Sequence, residues 1–343
     1  MSRTAVVILN YNGEKLLRDF LPSVVQHSPQ AEVIVADNGS TDGSLAVLEQ
    51  SFPNLRVIRL DQNYGFCGGY NRALQQVDAD YYVLLNSDVE VTSGWLAPLI
   101  ATLDNQPEAA AIQPKVLAWA HKDLFEYAGA GGGFIDFLGY PFCRGRIFKT
   151  VETDNQQYND IRQIFWATGA CLMIRREAYH RFGGLDEDLF AHMEEIDLCW
   201  KLQRANTQVW YNGQSTVYHV GAGTLGYESP RKTYLNFRNN LILLYKHLAW
   251  HEFILVMLCR GVLDWVAAFT FLLQGQANNF TAVLRAHLDF IKRLPQTHKK
   301  RNALQKAYPS YSKKTIYSRS ILLQYYALGR KHFSSLPDTQ NYT

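Results

Sequence analysis

Short apolar runs alternate with helical patterns through the first 120 residues, and this alternation constrains the fold more than any other property of the chain. The runs lie at residues 5–9, 32–36, 55–60, 81–85 and 110–116. Between the first two, Leu16, Leu17, Phe20, Leu21, Val24 and Val25 recur at the spacing of one helix face. Between the third and fourth, Phe66, Gly69, Tyr70, Ala73, Leu74 and Val77 do the same. Alternating strands and helices predict an α/β fold with a mostly parallel sheet flanked by helices on both faces. Right-handed crossovers then place the loops after the strands along one sheet edge, which is where open α/β sheets bind ligands. Beyond this region the patterns predict a helix near 93–103, a strand over 168–175, a turn at 182–185, a helix over 194–205 and two strands at 208–211 and 216–220. Residues 128–159, rich in glycine and aromatics, read as a loop or hairpin insertion suited to a mobile lid.

The edge loops share one chemistry. Asn10-Tyr11-Asn12-Gly13 follows the first strand, Asp37 through Ser44 the second, and Asn86-Ser87-Asp88 the fourth, while Asn63 through Asn71 opens the intervening helix. Singly, each is ordinary turn chemistry. Together on one edge they describe a site for a polar ligand carrying phosphates. Asp88 ends a buried strand and is an oxygen ligand suited to Mg²⁺ or Mn²⁺, ions that share one or two carboxylates with substrate phosphates. The alternative is a helix cap, for which Asn, Ser and Asp are all good residues.

Three carboxylates, Glu194, Glu195 and Asp197, crowd the start of the 194–205 helix. Glu194, Asp197, Lys201 and Arg204 fall on one polar stripe, with Asp197 and Lys201 at i,i+4. That stripe reads as a solvated, salt-bridged face. Glu195 instead shares the stripe of Leu198, Cys199 and Leu202. There it serves either as an acid stabilised by the helix N-terminus or as a general base facing a cleft. His219 closes an apolar run and is either a hydrogen-bonded structural residue or, beside a carboxylate-bound metal, a ligand.

Five widely spaced cysteines with no Cys-x-x-Cys pair argue against a disulfide framework or a structural zinc site and suit a reducing cytoplasm. An apolar strand from residue 5 leaves no room for a signal peptide. The net charge of +3 hides an asymmetry: residues 285–331 carry 12 Lys or Arg and one acid, Asp289, whereas the chain before Arg285 carries 22 basic and 29 acidic residues. No nucleic-acid-reading module accompanies this basic tail, and contact with anionic lipid fits it better. Residues 253–273 are apolar over 21 positions, close to the ~20 needed to span a bilayer. Arg260 and Asp264 interrupt the run, at roughly 2.5–3.5 kcal/mol each if exposed to lipid. An interfacial or re-entrant helix is therefore predicted in preference to a span, with Trp250, Trp265, Arg285, Lys292 and Arg293 at the interface. A soluble helical bundle is the alternative.

Several of these segments resemble a known family. Val33 through Ser44 is similar to the nucleotide-binding segment of family 2 (GT-A) glycosyltransferases, and Asn63-Tyr64-Gly65-Phe66 through Gly69-Tyr70-Asn71 to the segment that follows it. Asn86-Ser87-Asp88 stands where that family has an Asp-x-Asp metal motif. Glu194-Glu195-Ile196-Asp197-Leu198-Cys199-Trp200 resembles its acidic motif, usually Glu-Asp-x-Asp. The likeness covers about residues 3–225 and is nearest to the bacterial rhamnosyltransferase-like branch. It implies a GT-A, Rossmann-like catalytic domain over 1–227 and a helical, apolar and basic region over 228–343. In that reading Asp37 binds the base or ribose of a nucleoside-diphosphate sugar with Tyr11 near the base, and Asn38, Asn63, Gly65, Asn71 and Ser87 complete the donor site. Asp88 holds Mg²⁺ or Mn²⁺ with His219 and, weakly, Asn86, while Glu195 is the catalytic base and Glu194 its alternative. Two departures stand out: Asn86 replaces the first Asp of the metal motif, and Glu195 replaces an Asp base. The resemblance implies inverting transfer from a dTDP-rhamnose or UDP-sugar donor to a saccharide carried on lipid. It places the enzyme peripherally on the cytoplasmic face of the inner membrane, in envelope polysaccharide assembly, with no nucleic-acid partner. A non-catalytic, membrane-docked sugar-nucleotide-binding relative is the alternative that the imperfect metal motif keeps open. A sugar-nucleotide pyrophosphorylase is a second, weakened because Asn10-Tyr11-Asn12-Gly13 lacks a Gly-rich loop with Arg or Lys.

Overall fold

A computed structural model describes residues 2–221, 229–309 and 312–339. The chain opens with β1 (Thr4–Asn10), α1 (Glu14–His27), β2 (Glu32–Asp37), α2 (Ser44–Ser51), β3 (Arg56–Arg59), α3 (Gly65–Leu74) and β4 (Tyr81–Asn86). Next come β5 (Val89–Val91), α4 (Leu96–Asn105), β6 (Ala109–Ala118), β7 (Gly133–Asp136), β8 (Pro141–Cys143), β9 (Arg146–Ile147) and β10 (Thr150–Val151). Then follow β11 (Ile161–Ile164), β12 (Cys171–Arg175), α5 (Arg176–Arg181), α6 (Glu194–Arg204) and β13 (Gln208–His219). The helices α7 (Pro230–His247), α8 (Trp250–Leu273) and α9 (Ala277–Ala307) precede a last short strand, β14 (Ile316–Tyr317).

The main sheet runs β11-β13-β6-β12-β4-β1-β2-β3, with β5 added to β13. β1 pairs in parallel with β2 and β4, and β13 in parallel with β6, while β12 and β11 run antiparallel to their neighbours. The sheet is thus mixed and predominantly parallel, as the βα alternation requires. Strand pleating sends successive side chains to opposite faces, and each face has its own core. Ala5 and Val7 join Cys67, Tyr70 and Leu74 of α3 and Leu198, Cys199 and Leu202 of α6. Val6 and Ile8 join Leu17 and Leu21 of α1 and Leu96, Leu99 and Leu103 of α4.

Three local expectations change. Residues 208–220, read as two strands, form one long strand, β13, whose register on β6 slips between Asn212 and Thr216. The helix expected from residue 93 starts at Leu96, because β5 takes up the chain directly after Asp88. Residues 128–159, read as an insertion, contain the hairpin β7–β8, and this hairpin belongs to a second sheet, β10-β9-β8-β7-β14. It does not lie open as a loop would: Phe134, Phe142 and Arg144 are buried, and Phe333 from the C-terminal segment stacks on both phenylalanines. Gly133 is required at its start, since a Cβ there would lie 2.2 Å from the Trp166 indole.

α8 is amphipathic in the opposite sense to a surface helix. Its buried residues are Val256, Arg260, Asp264 and Ala268, one per turn along a single stripe. Arg260 pairs with Asp264 at 3.1 Å and donates to Oδ1 of Asn240 at 2.7 Å, and Asp264 also meets His287 of α9 at 3.2 Å. The charges that interrupt the apolar run therefore dock the helix onto the body. Leu255, Leu258, Val262, Val266, Phe269 and Leu273 face outward instead.

Candidate active site

The loops after β1, β2 and β4 and the start of α3 meet at the edge the alternation predicts. Asp37, the last residue of β2, is buried, accepting from Nδ2 of Asn10 at 3.1 Å and from the backbone N–H of Ser40 at 3.0 Å. Asn38 donates to the Asn63 side chain and the Gly65 carbonyl and accepts from Tyr64 N–H. Gly65 adopts φ +70°, which suits glycine, so the chain turns there into α3. Tyr11 stands half-exposed at the mouth of this edge, and Ser87 lies in the turn between β4 and β5.

Asn71 does not belong with the donor loops. Its amide is fully used inside the fold, accepting from Tyr179 O–H at 2.7 Å and Leu185 N–H at 3.1 Å and donating to the Leu185 carbonyl at 2.9 Å. It locks the turn before α6. The residue type looked like a ligand because a buried Asn serves turns and ligands with the same groups.

Ser87 and Asp88 form a two-residue connection between β4 and β5, and β5 pairs with the end of β13 so that Val89 lies opposite His219. This register brings Asp88 Oδ1 to 3.2 Å from His219 Nε2, with the Asn86 amide 3.5 Å from the same nitrogen. Glu126, which the sequence did not single out, stands with Oε1 3.5 Å from His219 Nδ1 and is also buried. Burial opposes a charge on His219, but Asp88 and Glu126 outweigh it and raise its pKa to about 10.

Among the described residues no group of three His, Cys, Asp or Glu side chains is placed to hold a metal. Asp88 and His219 are the side chains that could hold one: their facing atoms, Oδ1 and Nε2, stand 3.2 Å apart as an ion pair. An ion there would have to displace the proton they share, with Glu126 at Nδ1 then orienting the imidazole as a carboxylate does for a metal-binding histidine.

α6 begins after a strained passage: Phe190, His192 and Met193 all have positive φ, of 68°, 66° and 72°. Such backbone persists only where the surroundings impose it. Asn239 of α7 imposes it here, donating from Nδ2 to the carbonyls of Leu189, Ala191 and His192 at 2.7–3.0 Å. The outcome is the placement of Glu194 and Glu195. Glu194 is buried and Glu195 half-buried, and each has an Oε2 without a hydrogen-bond partner. Burial raises the pKa of Glu195 to about 7, and burial together with the neighbouring Glu195 raises that of Glu194 further. A carboxylate near neutrality with a free oxygen is suited to taking a proton. The strand-to-strand link at Gly169 and Ala170 runs between this helix and the Asp88 turn: a Cβ at Gly169 would come within 4.0 Å of Glu195 Cβ, and Ala170 accepts from Asn86 N–H at 3.0 Å. Replacing Asn239 by Ala would take its donor from the Ala191 and His192 carbonyls, at about 1–3 kcal/mol per group left unsatisfied, while the Leu189 carbonyl keeps Arg238 and the Ala191 N–H. The expected result is a lower melting midpoint and slower turnover with donor-nucleotide affinity retained, read by calorimetry beside kinetics.

The expected solvated face of α6 is overturned. Asp197 is fully buried, with Lys246 2.7 Å and His247 2.8 Å from Oδ1 and Lys201 3.2 Å from Oδ2. α7 covers this face, and Arg204, the last residue of the stripe, donates to the His247 carbonyl at 2.6 Å. The basic tail is likewise partly paired: Lys300 with Asp186 and Asp188 and, at the surface, Arg319 with Asp338.

A mostly parallel sheet with phosphate-type loops on one edge, an Asp–His pair at a strand turn and a carboxylate-led helix defines a nucleotide-sugar transferase architecture. The chain belongs to glycosyl transferase family 2, whose family model matches residues 5–183. Within the family it falls in the rhamnosyltransferase-like branch: it is 28% identical over 278 residues to the N-acetylglucosaminyl-diphospho-decaprenol L-rhamnosyltransferase of Mycobacterium tuberculosis, covering 75% of this chain and 89% of that one. Its fold is similar to that of the mannosyltransferase PcManGT from Pyrobaculum calidifontis, solved with GDP-Man and Mn²⁺, at TM-score 0.53 and 15% identity over 90% of this chain and 82% of that one. It is similar also to S. aureus TarS 1-349, solved with UDP-GlcNAc, at TM-score 0.54 and 18% identity over 89% and 87% of the two chains.

Proposed function

We propose that this glycosyltransferase moves a sugar, with inversion, from a nucleoside-diphosphate donor to a saccharide carried on lipid, with Glu195 as the base. The observation that carries the proposal is the Glu195 carboxylate, half-buried, with a free Oε2 and a pKa of about 7. Glu195 takes the proton of an acceptor hydroxyl while that oxygen forms a bond to the anomeric carbon. The anomeric carbon–oxygen bond to the diphosphate breaks on the opposite face, and its electron pair leaves with the diphosphate. Attack from that face inverts the centre and needs no covalent intermediate. Glu195 is the more apt of the two, since Glu194 is the more deeply buried and both its burial and the charge of Glu195 favour its protonated form. Asp37, Asn38, Asn63, Gly65, Ser87 and Tyr11 shape the donor site in this reading. Mg²⁺ or Mn²⁺ held by Asp88 and His219 would offset charge on the departing diphosphate.

The named acceptor of the mycobacterial relative is a diphospho-decaprenol, which supports a lipid-linked acceptor here and a role in cell-envelope polysaccharide synthesis. The outward apolar face of α8 supports a peripheral place on the cytoplasmic face of a membrane, with residues 1–227 as the catalytic domain and 228–343 as its membrane-associating extension.

Calorimetry with a panel of nucleoside diphosphates tests the donor half of the proposal. One diphosphate is expected to bind tightly with Mg²⁺ or Mn²⁺, and chelator or Asp88→Ala should weaken it by about tenfold or more. Binding indifferent to both treatments would remove Asp88 from a metal site, and no binding by any diphosphate would turn the reading toward a non-catalytic relative.

A further inference from the structure

Resting on the lipid-linked reading above, we propose that the groove between α7 and the first half of α9 holds the phosphate head of a membrane lipid, with the outward face of α8 seated in the bilayer beside it. The groove has a volume of about 620 Å³ and is lined by Arg231, Tyr234, Arg285, Leu288, Asp289 and Lys292, among others. Its one acid is already neutralised: Asp289 accepts from Arg293 at 2.9 Å and from Tyr234 O–H at 2.5 Å, with Arg238 at 3.6 Å. Arg285 and Lys292 are exposed and have no ion-pair partner among the described residues. Arg231, Arg285 and Lys292 therefore leave an uncompensated positive charge in a concave site, which suits a phosphate ester.

The surroundings of the groove indicate what kind of phosphate it takes. At one end Pro230 and Asn278 continue into a smaller hollow lined by Gly275 and Gln276, directly after Leu273, the α8 terminus, which is 89% exposed. On the outward row of α8, Leu255, Leu258, Val262, Val266 and Leu273 are each more than half exposed. A helix whose charges are turned inward and whose apolar side is turned out is matched to acyl chains, and binding of such a helix grows with apolar area and anionic charge. Beside Pro230, the Arg231 guanidinium lies 5.2 Å from the centroid of the Phe190 ring, and Phe190 packs against Gly65 of the donor edge. A ligand with a hydrocarbon tail, a phosphate and a sugar would set its tail on α8 and its phosphate in the cationic groove, with its sugar toward Phe190 and the donor edge. A free sugar phosphate would have no use for the first of these contacts.

The test uses the full chain with three vesicle types: phosphatidylcholine alone, phosphatidylcholine with a polyprenyl phosphate, and phosphatidylcholine with phosphatidylglycerol matched to the same charge. Co-sedimentation should show weak binding to the first and about tenfold tighter binding to the second than to the third; attraction to anionic charge is common to both, so the difference reads the specific contact. Arg285→Gln/Lys292→Gln should abolish the preference for polyprenyl phosphate while leaving binding to phosphatidylcholine alone unchanged. Leu258→Ser/Val262→Ser should lose binding to all three. Equal affinity for the two anionic vesicles would overturn the groove as a phosphate site and leave a generic basic surface. A dimer in sedimentation velocity that Leu258→Ser/Val262→Ser converts to monomer, with no vesicle binding by the parent chain, would overturn the bilayer as occupant in favour of a second copy. Far-ultraviolet circular dichroism confirms that each variant is folded. Nucleoside-diphosphate calorimetry on the same samples separates the two readings, since loss of donor binding would sink the transferase proposal without touching the vesicle result.

Discussion

Glu195→Gln should cut turnover by about 10²–10⁴-fold, the usual worth of a positioned general base, while donor-nucleotide affinity stays within about twofold, because the amide keeps the shape and loses only the proton acceptor. The pH profile adds a second readout. Glu195 must be ionised to act and its pKa stands at about 7 because it is buried. Turnover in the parent protein should therefore rise with pH through about 7 and level off above it. The residual activity of the Gln variant should lose that limb. A variant with full turnover, or with the same rising limb, would show that another group takes the proton. Glu194→Gln separates the two neighbours: it is burial that raises Glu195, so removing Glu194 should leave both the limb and the plateau in place.

Asp197→Ala should be the most destabilising single change in the molecule, by about 3–5 kcal/mol, the range for stripping one partner from a buried ion-paired cluster. Lys201 would lose its ion pair, and buried Lys246 would keep only Asp186 of its two carboxylate partners among the described residues. Urea denaturation of the parent and variant measures the loss. The same cluster sets the acid limit of the fold. Burial opposes a charge on Asp197, but Lys246, Lys201 and His247 outweigh it and hold its carboxyl well below the ordinary range. Its contribution is therefore present above about pH 4, the unfolded value, and lost as pH falls through the lower folded one. His247 acts in the same direction higher up: burial lowers its pKa to about 4, so protons favour the unfolded chain from about pH 6.5 downward. Glu195 and Asp136, whose pKa values burial raises to about 7, act in the opposite direction between about pH 7 and pH 4, so the readout is the slope below pH 4, much of which Asp197→Ala should lose. Flat stability across that range would contradict a charged, buried Asp197.

The parts of the fold legible in the sequence are those whose determinants are local. β1, β2 and β4 are apolar runs bounded by polar turns, and the two-sided burial of β1, with Val6 and Ile8 in one core and Ala5 and Val7 in the other, explains why its run is continuous and not alternating. The Asp88 turn and the Glu195 stripe could be read because each is a short motif on one element. Glu126 could not, since it meets His219 only through the pairing of β13 with β5 and β6, and nothing near it in sequence marks it. Asn239 was equally silent, one polar residue in a helix whose partner is a strained loop some 50 positions earlier. Asp197 shows the limit of helical periodicity most plainly. An i,i+4 pair with Lys201 looks the same on a wet face and on one covered by α7, and only the second helix, carrying Lys246 and His247, decides which it is.

The pairing of Ile316 with Ile135 in the second sheet has a consequence for how the protein is made. The backbone N–H of Ile321 also donates to Asp136, 185 positions away along the chain. On the ribosome, β7 and β8 emerge long before their neighbour β14, and the apolar α8 emerges between them. Contacts of such high sequence separation form late and slowly, so β7 spends most of synthesis as an open sheet edge. On the peripheral placement proposed above, α8 would reach a membrane surface while the molecule is still unfinished, and the last strand would close the second sheet on a chain already docked. Nascent chains stalled before residue 316 should be more readily cleaved by protease near β7 than chains stalled beyond residue 336.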